Sequence, residues 1–395
     1  NSDTEVLIKS FIEYGEKCVD HFVGMWAFAI WDKKEKKLFL SRDPFGEKPL
    51  YYFQNKNGFF FGSEIKFIQS LCNFNFKINK DKISKNLFLG YKSLNKTNDT
   101  FFNEIYSLES STNLTIDLNL KNKKTKYWIP KVNVDQKLSY EDAVDGVNEK
   151  IIKSLNLRMR SDVPLAFCLS GGVDSGLLAS HAKKTLNKNI STFSIIDNDQ
   201  RYDEKDNINA VVDDLKCNSN IIEIDKKQNL FFERLKNLTH YHDGPIATIS
   251  YYVHSFLSEN ISKNKFKVAI SGTGADELFT GYHDHYLLHM QSVYKTKHYE
   301  DCLKTWKKYI LPNIRNSFLK NHMIYIDDPN NRDLVYEKNL NIYKYSFAND
   351  NQKFSEVDYC KDLLRKRMLN ELFHEVVPVI LKHDDLNSMY YSIEN

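Results

Sequence analysis

The sequence predicts an α/β protein in two parts: packed sheets with outer helices, then a doubly wound parallel sheet with a helical cover. Three observations lead there. Residues 1–70 read as a helix, several strands and a short helix. From residue 139 onward, strand-sized apolar runs alternate with stretches of helical periodicity, the signature of a parallel sheet covered on both faces. A Gly-Gly pair lies directly between one such run and the next helical stretch.

The elements follow in order. Val6, Leu7, Ile8, Phe11 and Ile12 recur at helical spacing over residues 5–14. Residues 22–31 read as a strand with Phe22, Trp26, Phe28 and Ile30 on one face. Val23, Met25, Ala27, Ala29 and Trp31 make the other face apolar too, so cover on both sides is expected. Residues 37–41, 50–53 and 59–62 are further strands between polar turns. Residues 75–140 are polar, with an Asn/Lys cluster at 119–126. A boundary near residue 135 divides the chain into domains 1–135 and 136–395. Ala143, Val147, Ile151, Ile152 and Leu155 then mark a helix. Residues 163–169, 191–196, 219–224 and 266–270 are strands, with helices over 176–185 and 204–215. After Asp276 the chain is aromatic and mostly helical by pattern.

Composition narrows the function. The 395 residues suffice for two or three domains, and 42% hydrophobic with 27% charged residues is a globular composition. Lys plus Arg is 55 against 52 Asp plus Glu, a net +3 that gives nucleic-acid binding no support. No apolar run reaches the ~18 residues of a membrane span, so no membrane is expected. The start, Asn1-Ser2-Asp3-Thr4-Glu5, has neither a signal-peptide pattern nor an initiator Met, as in a fragment or processed product. Six cysteines without a CxxC pair argue against a disulfide framework or zinc site. A reducing compartment follows, with cytoplasm as the default.

The sharpest signal is Leu169-Ser170-Gly171-Gly172-Val173-Asp174-Ser175, after one strand and before a helix. Phosphate binding needs backbone N–H groups converging at a helix N-terminus, and paired glycines let the chain approach the anion. Ser170 and Ser175 add hydroxyls. Asp174 would repel a bare phosphate, so its role is to hold Mg²⁺ on it. The Walker lysine is missing. The plainer reading, a strand-to-helix turn with Asp or Ser capping, explains a lone Gly-Gly pair but not the whole string.

This string resembles the PP-loop of ATP pyrophosphatases, which cleave ATP between the α- and β-phosphates. A second string, Ser271-Gly272-Thr273-Gly274-Ala275-Asp276-Glu277-Leu278-Phe279-Thr280-Gly281-Tyr282, is similar to the S-G-x-G-[SA]-D-E-x-F-x-G-Y segment of asparagine synthetases. Two such loops at strand ends could line one crevice, with Asp276 and Asp174 sharing the metal. For Glu277, helix capping competes evenly. Arg201-Tyr202-Asp203-Glu204 resembles the family's aromatic-Asp-Glu segment, with an acid-rich helix start as an equal reading. Leu381-Lys382-His383-Asp384-Asp385-Leu386-Asn387-Ser388-Met389 is similar to L-x-K-x-D-R-x-S-M, without its arginine. The resemblance implies Lys382 as the catalytic cation for charge on the α-phosphate and acyl group.

The amino-terminal part resembles class II glutamine amidotransferases, through residues 20–32, then Ser41-Arg42-Asp43-Pro44-Phe45-Gly46-Glu47-Lys48-Pro49-Leu50-Tyr51-Tyr52, then Gly62-Ser63-Glu64-Ile65-Lys66. The resemblance implies a partial αββα sandwich of the N-terminal-nucleophile type, followed by a PP-loop domain. Arg42 and Asp43 are read as a structural salt bridge at a turn. The glutaminase nucleophile implied by the resemblance is an N-terminal cysteine, and no residue here fills that role; Cys18 lies inside a helix. Asp3 falls in a segment resembling G-[SD]-D-[TC]-E-V, whose Asp grips the glutamine α-amine; helix capping is its other role.

The implied activity is ATP-dependent amidation. A carboxylate becomes an acyl-adenylate, which ammonia from glutamine attacks. Aspartate is the first acceptor considered. Thr273, where asparagine-forming members usually carry Glu, and the missing Arg near Ile246, Ala247 and Thr248 point to another carboxylate, such as a uronic acid. A non-catalytic adenylate-binding module is the third reading. A homodimer is left open. His283-Asp284-His285 is read as a solvated helix start, not a metal site; Tyr282, Tyr286 and Tyr294 as packing; and Cys168 as a small buried residue at the strand end.

Overall fold

The computed structural model describes residues 2–135, 137–196, 204–224, 230–332 and 354–395. The chain forms two compact units. One comprises Asn1–Val132 with Thr280–Lys382, the other Asn133–Phe279 with His383–Asn395. Both contain α/β architecture: antiparallel sheets in the first and a parallel sheet in the second.

In the first unit, the helix Asp3–Tyr14 is capped by Ser2, whose hydroxyl accepts from the Glu5 amide at 3.3 Å. The strands are β1 (Ala27–Asp32), β2 (Lys37–Arg42), β3 (Tyr51–Asn55), β4 (Gly58–Gly62), β5 (Tyr106–Ser107), β6 (Thr112–Asp117) and β7 (Asn122–Lys126). They form two antiparallel sheets, ordered β1-β2-β6-β7 and β4-β3-β5. Alternation along each strand decides the packing. Leu38, Leu40, Leu114 and Ile116 of the larger sheet share a core with Tyr52, Phe59 and Phe61 of the smaller. On the opposite face of the larger sheet, Phe28, Ile30 and Phe39 pack with Phe11, Cys18 and Val19. Tyr51, Phe53 and Phe60 of the smaller sheet pack on Ile65 and Ile68 of the helix Ile65–Cys72. A separate core gathers Leu287, Leu288, Trp306 and Tyr325 from the later helices of this unit.

Two expectations for this unit need correction. The strand expected over residues 22–31 begins only at Ala27; Gly24, at φ +139°, interrupts the extended run, and a 3-10 turn, Gly15–His21, precedes it. The second face of this strand is covered only in part: Ala27 packs with the core between the sheets, while Ala29 and Trp31 are exposed. It lies at a sheet edge, with Trp31 46% exposed. The polar stretch 75–140 also contains strands. β6 pairs with β2 and β7 and buries Leu114 and Ile116, and the Lys-rich β7 is an exposed edge, a composition that discourages further strand addition.

In the second unit, β8 (Leu165–Cys168), β9 (Ser191–Ile196), β10 (Asn218–Glu223) and β11 (Val268–Ile270) form an all-parallel sheet ordered β10-β9-β8-β11. Side chains of β8 alternate between two helical layers. Leu165 and Phe167 pack with Leu155, Ala179 and Leu215, from the helices Tyr140–Arg158, Val173–Ser180 and Lys205–Leu215. Ala166 and Cys168 pack with Leu257 and Ile261 of the helix Ile249–Lys263, and with Ile393. The strand order reverses beside β8: the chain steps from β8 to β9 on one side, and β11 arrives on the other. Ligands of open α/β sheets bind at the carboxyl ends of strands at such a reversal.

Candidate functional site

Both glycine-bearing loops leave the sheet at this reversal, one after β8 and one after β11. The loop after β8 ties itself together with hydroxyls. Ser175 Oγ accepts from the Ser170 amide and lies beside Ser170 Oγ, each at 3.1 Å, and it donates to the Gly172 carbonyl at 3.3 Å. Gly171 turns at φ +83°, where a Cβ would stand 3.1 Å from the Glu204 carbonyl oxygen. The helix Val173–Ser180 starts from Gly172 without a side-chain cap, so the plainer reading of this turn, an Asp or Ser cap, does not describe it. Asp174 is exposed in its first turn, and Ser175 is buried.

The second loop lies against the first. A Cβ on Gly272 would stand 3.0 Å from the Ser175 amide nitrogen and 3.2 Å from the Asp174 carbonyl carbon. Only glycine permits that approach. Ser271 and Thr273 share a hydroxyl contact at 3.3 Å, and Gly274 turns at φ +94°. Asp276 is half-buried in the short helix Ala275–Phe279, and Glu277 is buried. Residues more than ninety positions apart in sequence thus meet at one crevice.

The carboxyl-terminal string reaches the same unit through Asp384. Its carboxylate pairs with His254 Nδ1 at 3.1 Å. It also bears on Cys168, the half-buried last residue of β8, whose thiol is pushed up to about 12 by burial and then by Asp384's charge. His254 is held above its ordinary value: burial opposes the charged ring, but the hydrogen bond and charge of Asp384 more than offset it. Buried His383 meets buried His242, Nδ1 to Nδ1, at 3.2 Å, and stacks on Tyr251 with centroids 4.6 Å apart. The residue reading missed both imidazoles. Counting back from Met389 along L-x-K-x-D-R-x-S-M puts the lysine position on His383 and the arginine position on Leu386. Lys382 lies in the first unit, its ammonium 5.9 Å from the centre of the Tyr51 ring.

Other expected residues fall into structural roles. Arg42 donates to the carbonyls of Lys48, Gly46 and Leu108 at 2.7, 2.6 and 2.6 Å. Buried Asp43 accepts from the amides of Phe45, Glu47 and Lys48, each at 3.0 Å. Both brace the turn through backbone groups, consistent with a structural role there. Asp3 is exposed, and Ser2 takes the capping role that was its alternative. His285 corrects the expected solvated helix start. It is 1% exposed, accepts from the Gly281 amide at Nδ1, and meets Glu371 at 2.8 Å through Nε2. Arg201, Tyr202 and Asp203 lie outside the described residues.

Residues 146–395 match the family described as Asparagine synthase. The chain belongs to the asparagine synthase family. Residues 1–128 match the family described as Glutamine amidotransferase domain. This asparagine synthase family chain is 34% identical, over 291 residues, to a Methanocaldococcus jannaschii protein provisionally named glutamine-hydrolysing asparagine synthetase 2; the match covers 72% of this chain and 54% of the relative. Glutamine-hydrolysing asparagine synthetase 1 of Bacillus subtilis is 32% identical over 286 residues, 71% of this chain and 43% of the relative. An amidase of Gibberella zeae is 26% identical over 299 residues, again 71% and 43%. The chain spans about half the length of the curated relatives it matches.

Proposed function

We propose that this chain is part of an ATP-dependent, glutamine-hydrolysing amidotransferase of the asparagine synthase type. The observation that carries the reading is the approach of Gly272 to the Ser175 amide, which joins two phosphate-loop-like strings at the carboxyl ends of β8 and β11. Backbone amides of Gly171 and of the first helical turn, Val173 to Ser175, are the donors we assign to an anion, while Ser170 Oγ, which accepts from the Gly172 amide at 3.3 Å, and Ser175 Oγ hold the loop in shape. A free carboxylate is a poor electrophile. Joined to the α-phosphate with loss of pyrophosphate, it becomes an acyl-adenylate that ammonia can attack.

Asp174 and Asp276 are the carboxylates we assign to Mg²⁺. Among the described residues no three His, Cys, Asp or Glu side chains gather as a metal cage. The donor set still fits, because Mg²⁺ is commonly held by one or two carboxylates together with substrate phosphates and water. The ion would supply charge neutralisation at the phosphates. We assign Ser271, Gly272, Gly274 and Glu277 to the shape of the second loop, and Asp3 to the glutamine side of the protein. The layers of the first unit support an αββα sandwich, and the two helical layers of the second support a doubly wound sheet. Domain limits of 1–135 and 136–395 remain our proposal for the functional halves. Among the described residues no helix is long and apolar enough to cross a membrane; cytoplasm is the proposed location.

Aspartate is the first acceptor to test. A second acceptor class, uronic acids, is favoured by Thr273, which supplies a hydroxyl where a carboxylate would pair an α-ammonium. The test is acid-dependent ATP–pyrophosphate exchange by the full-length protein, with aspartate and a panel of uronic acids. Exchange with aspartate supports asparagine formation, and exchange with a uronic acid alone supports the second class. No exchange with any acid, by protein that is folded, removes the adenylating reading.

A further inference from the structure

The second unit holds a cavity outside the two glycine loops. It measures about 180 Å³ and lies between the helix Phe231–Tyr241, the helix Ile249–Lys263 and the segment around Tyr391. None of residues 169–176 or 270–279 lines it. Its inner wall is largely aromatic. Leu238 and Tyr252 there are buried, and Phe256 and Tyr391 are half-buried. Its mouth is polar, with Glu233 and Asn237 exposed. Helical spacing explains the assembly. Arg234, Asn237 and Leu238 share one face of their helix, and Tyr252 and Phe256 stand one turn apart on the other. An apolar cavity of ~150 Å³ admits benzene, so this one has room for a single substituted ring.

One charged group belongs to the wall. The Arg234 guanidinium lies over the Phe256 ring, 3.8 Å from its centre. Its Nη1 donates to the Tyr391 hydroxyl at 2.9 Å and to Ser255 Oγ at 3.0 Å, and its Nη2 donates to Glu259. A guanidinium carries five N–H groups. Three are spent on these partners, and two are left without an acceptor among the described residues. The Tyr391 hydroxyl accepts from Arg234, so its own hydrogen is free to be donated. Glu259 is shared between Arg234 and Lys263, the latter at 2.6 Å, so the three groups together keep a positive charge. Glu233 is the acid at the mouth, where water and salt screen it. Unspent donors and residual positive charge beside an aromatic wall match a planar acid. The ring takes the apolar space, and the carboxylate takes the N–H groups.

We propose that this cavity binds a small aromatic carboxylate, with its ring against Tyr252, Phe256 and Tyr391 and its carboxylate on Arg234 and the Tyr391 hydroxyl. The site stands apart from the adenylating reading, because it shares no residue with the nucleotide crevice.

The test is calorimetric titration of the full-length protein with benzoate, and with benzamide and acetate beside it. The expected result is one benzoate per chain at a dissociation constant of about 1 mM or tighter, which a ligand of that size can supply. Benzamide, lacking the charge, should bind about fivefold or more weakly, and acetate, lacking the ring, should not bind at about 10 mM. Saturating Mg²⁺–ATP should leave the benzoate affinity within about twofold. Arg234→Gln should weaken benzoate about tenfold or more, with circular dichroism to show that the variant is folded. NMR of the parent with ring-labelled tyrosine supplies a measure independent of variant folding: benzoate should shift the Tyr252 and Tyr391 signals. No benzoate binding at about 10 mM, benzamide binding as tight as benzoate, displacement of benzoate by ATP, or unmoved Tyr252 and Tyr391 signals would each overturn the proposal. So would a folded Arg234→Gln variant that binds benzoate within about twofold of the parent.

Discussion

Gly272 lies against Ser175: a Cβ at Gly272 would stand 3.0 Å from the Ser175 amide nitrogen. The neighbour is backbone at the start of a helix and cannot swing aside as a long side chain would. This contact joins the two halves of the proposed nucleotide site, and the first prediction follows from it.

Gly272→Ala should push the second loop off the helix Val173–Ser180. Overpacking of this kind costs about 1–3 kcal/mol. We expect ATP binding weakened by about tenfold or more, roughly that cost converted at 1.4 kcal/mol per decade. Calorimetric titration of ATP, with urea unfolding beside it, checks both. Unchanged affinity would mean that the loops do not form one site.

Asp174→Asn should abolish ATP–pyrophosphate exchange by the full-length protein while leaving its fold intact. The substitution removes one carboxylate from a hard-cation site at an exposed position. Exchange within a few-fold of the parent would remove the metal role from Asp174.

Arg42→Met should destabilise the first unit by about 2–4 kcal/mol, because three carbonyls lose a charged donor. Urea unfolding followed by tryptophan fluorescence measures it. A loss of less than about 0.5 kcal/mol would show that water replaces the guanidinium without cost.

Glu371 supplies a pH prediction. Burial alone would push its carboxyl up, but the hydrogen bond with His285 and the charges of Arg367 and Lys92 hold it down to about 2. In the unfolded chain a Glu titrates near ~4.3. Between those values the unfolded state binds more protons, so the stabilisation is present above ~4.3 and is lost as pH falls through about 2. Glu371→Gln should flatten the acid limb of stability over that interval. It should also cost about 3–5 kcal/mol at neutral pH by leaving buried Arg367 short of a partner. Acid titrations of both proteins, followed by circular dichroism, would show the difference; identical acid limbs would count against it.

Local spacing in the chain made much of this legible. The strand before Ser170, the helix after it and the succession of strands and helices along the chain all follow from short-range apolar patterning, which is a property of neighbouring residues. β7 was not legible, because a polar strand is held by its partner's ladder and leaves little mark in its own composition. Asp43 illustrates the intermediate case. Its place at a turn was readable, but its backbone partners, three amides within five residues, depend on the folded path of that turn.

By itself the sequence determined the chemistry available: paired glycines, hydroxyls and acids after two strands, in an order similar to one family of ATP-using enzymes. Tertiary structure decided which of those groups meet. Gly272 reaches Ser175 because β11 pairs with β8 on the side opposite β9, a choice made by sheet assembly. His383 meets His242 across 141 positions because the packing of the second unit brings their segments together. The physical reason is one of range. Torsional preference and periodicity act over a few residues, whereas burial and hydrogen bonding between distant segments are settled only when the chain closes on itself.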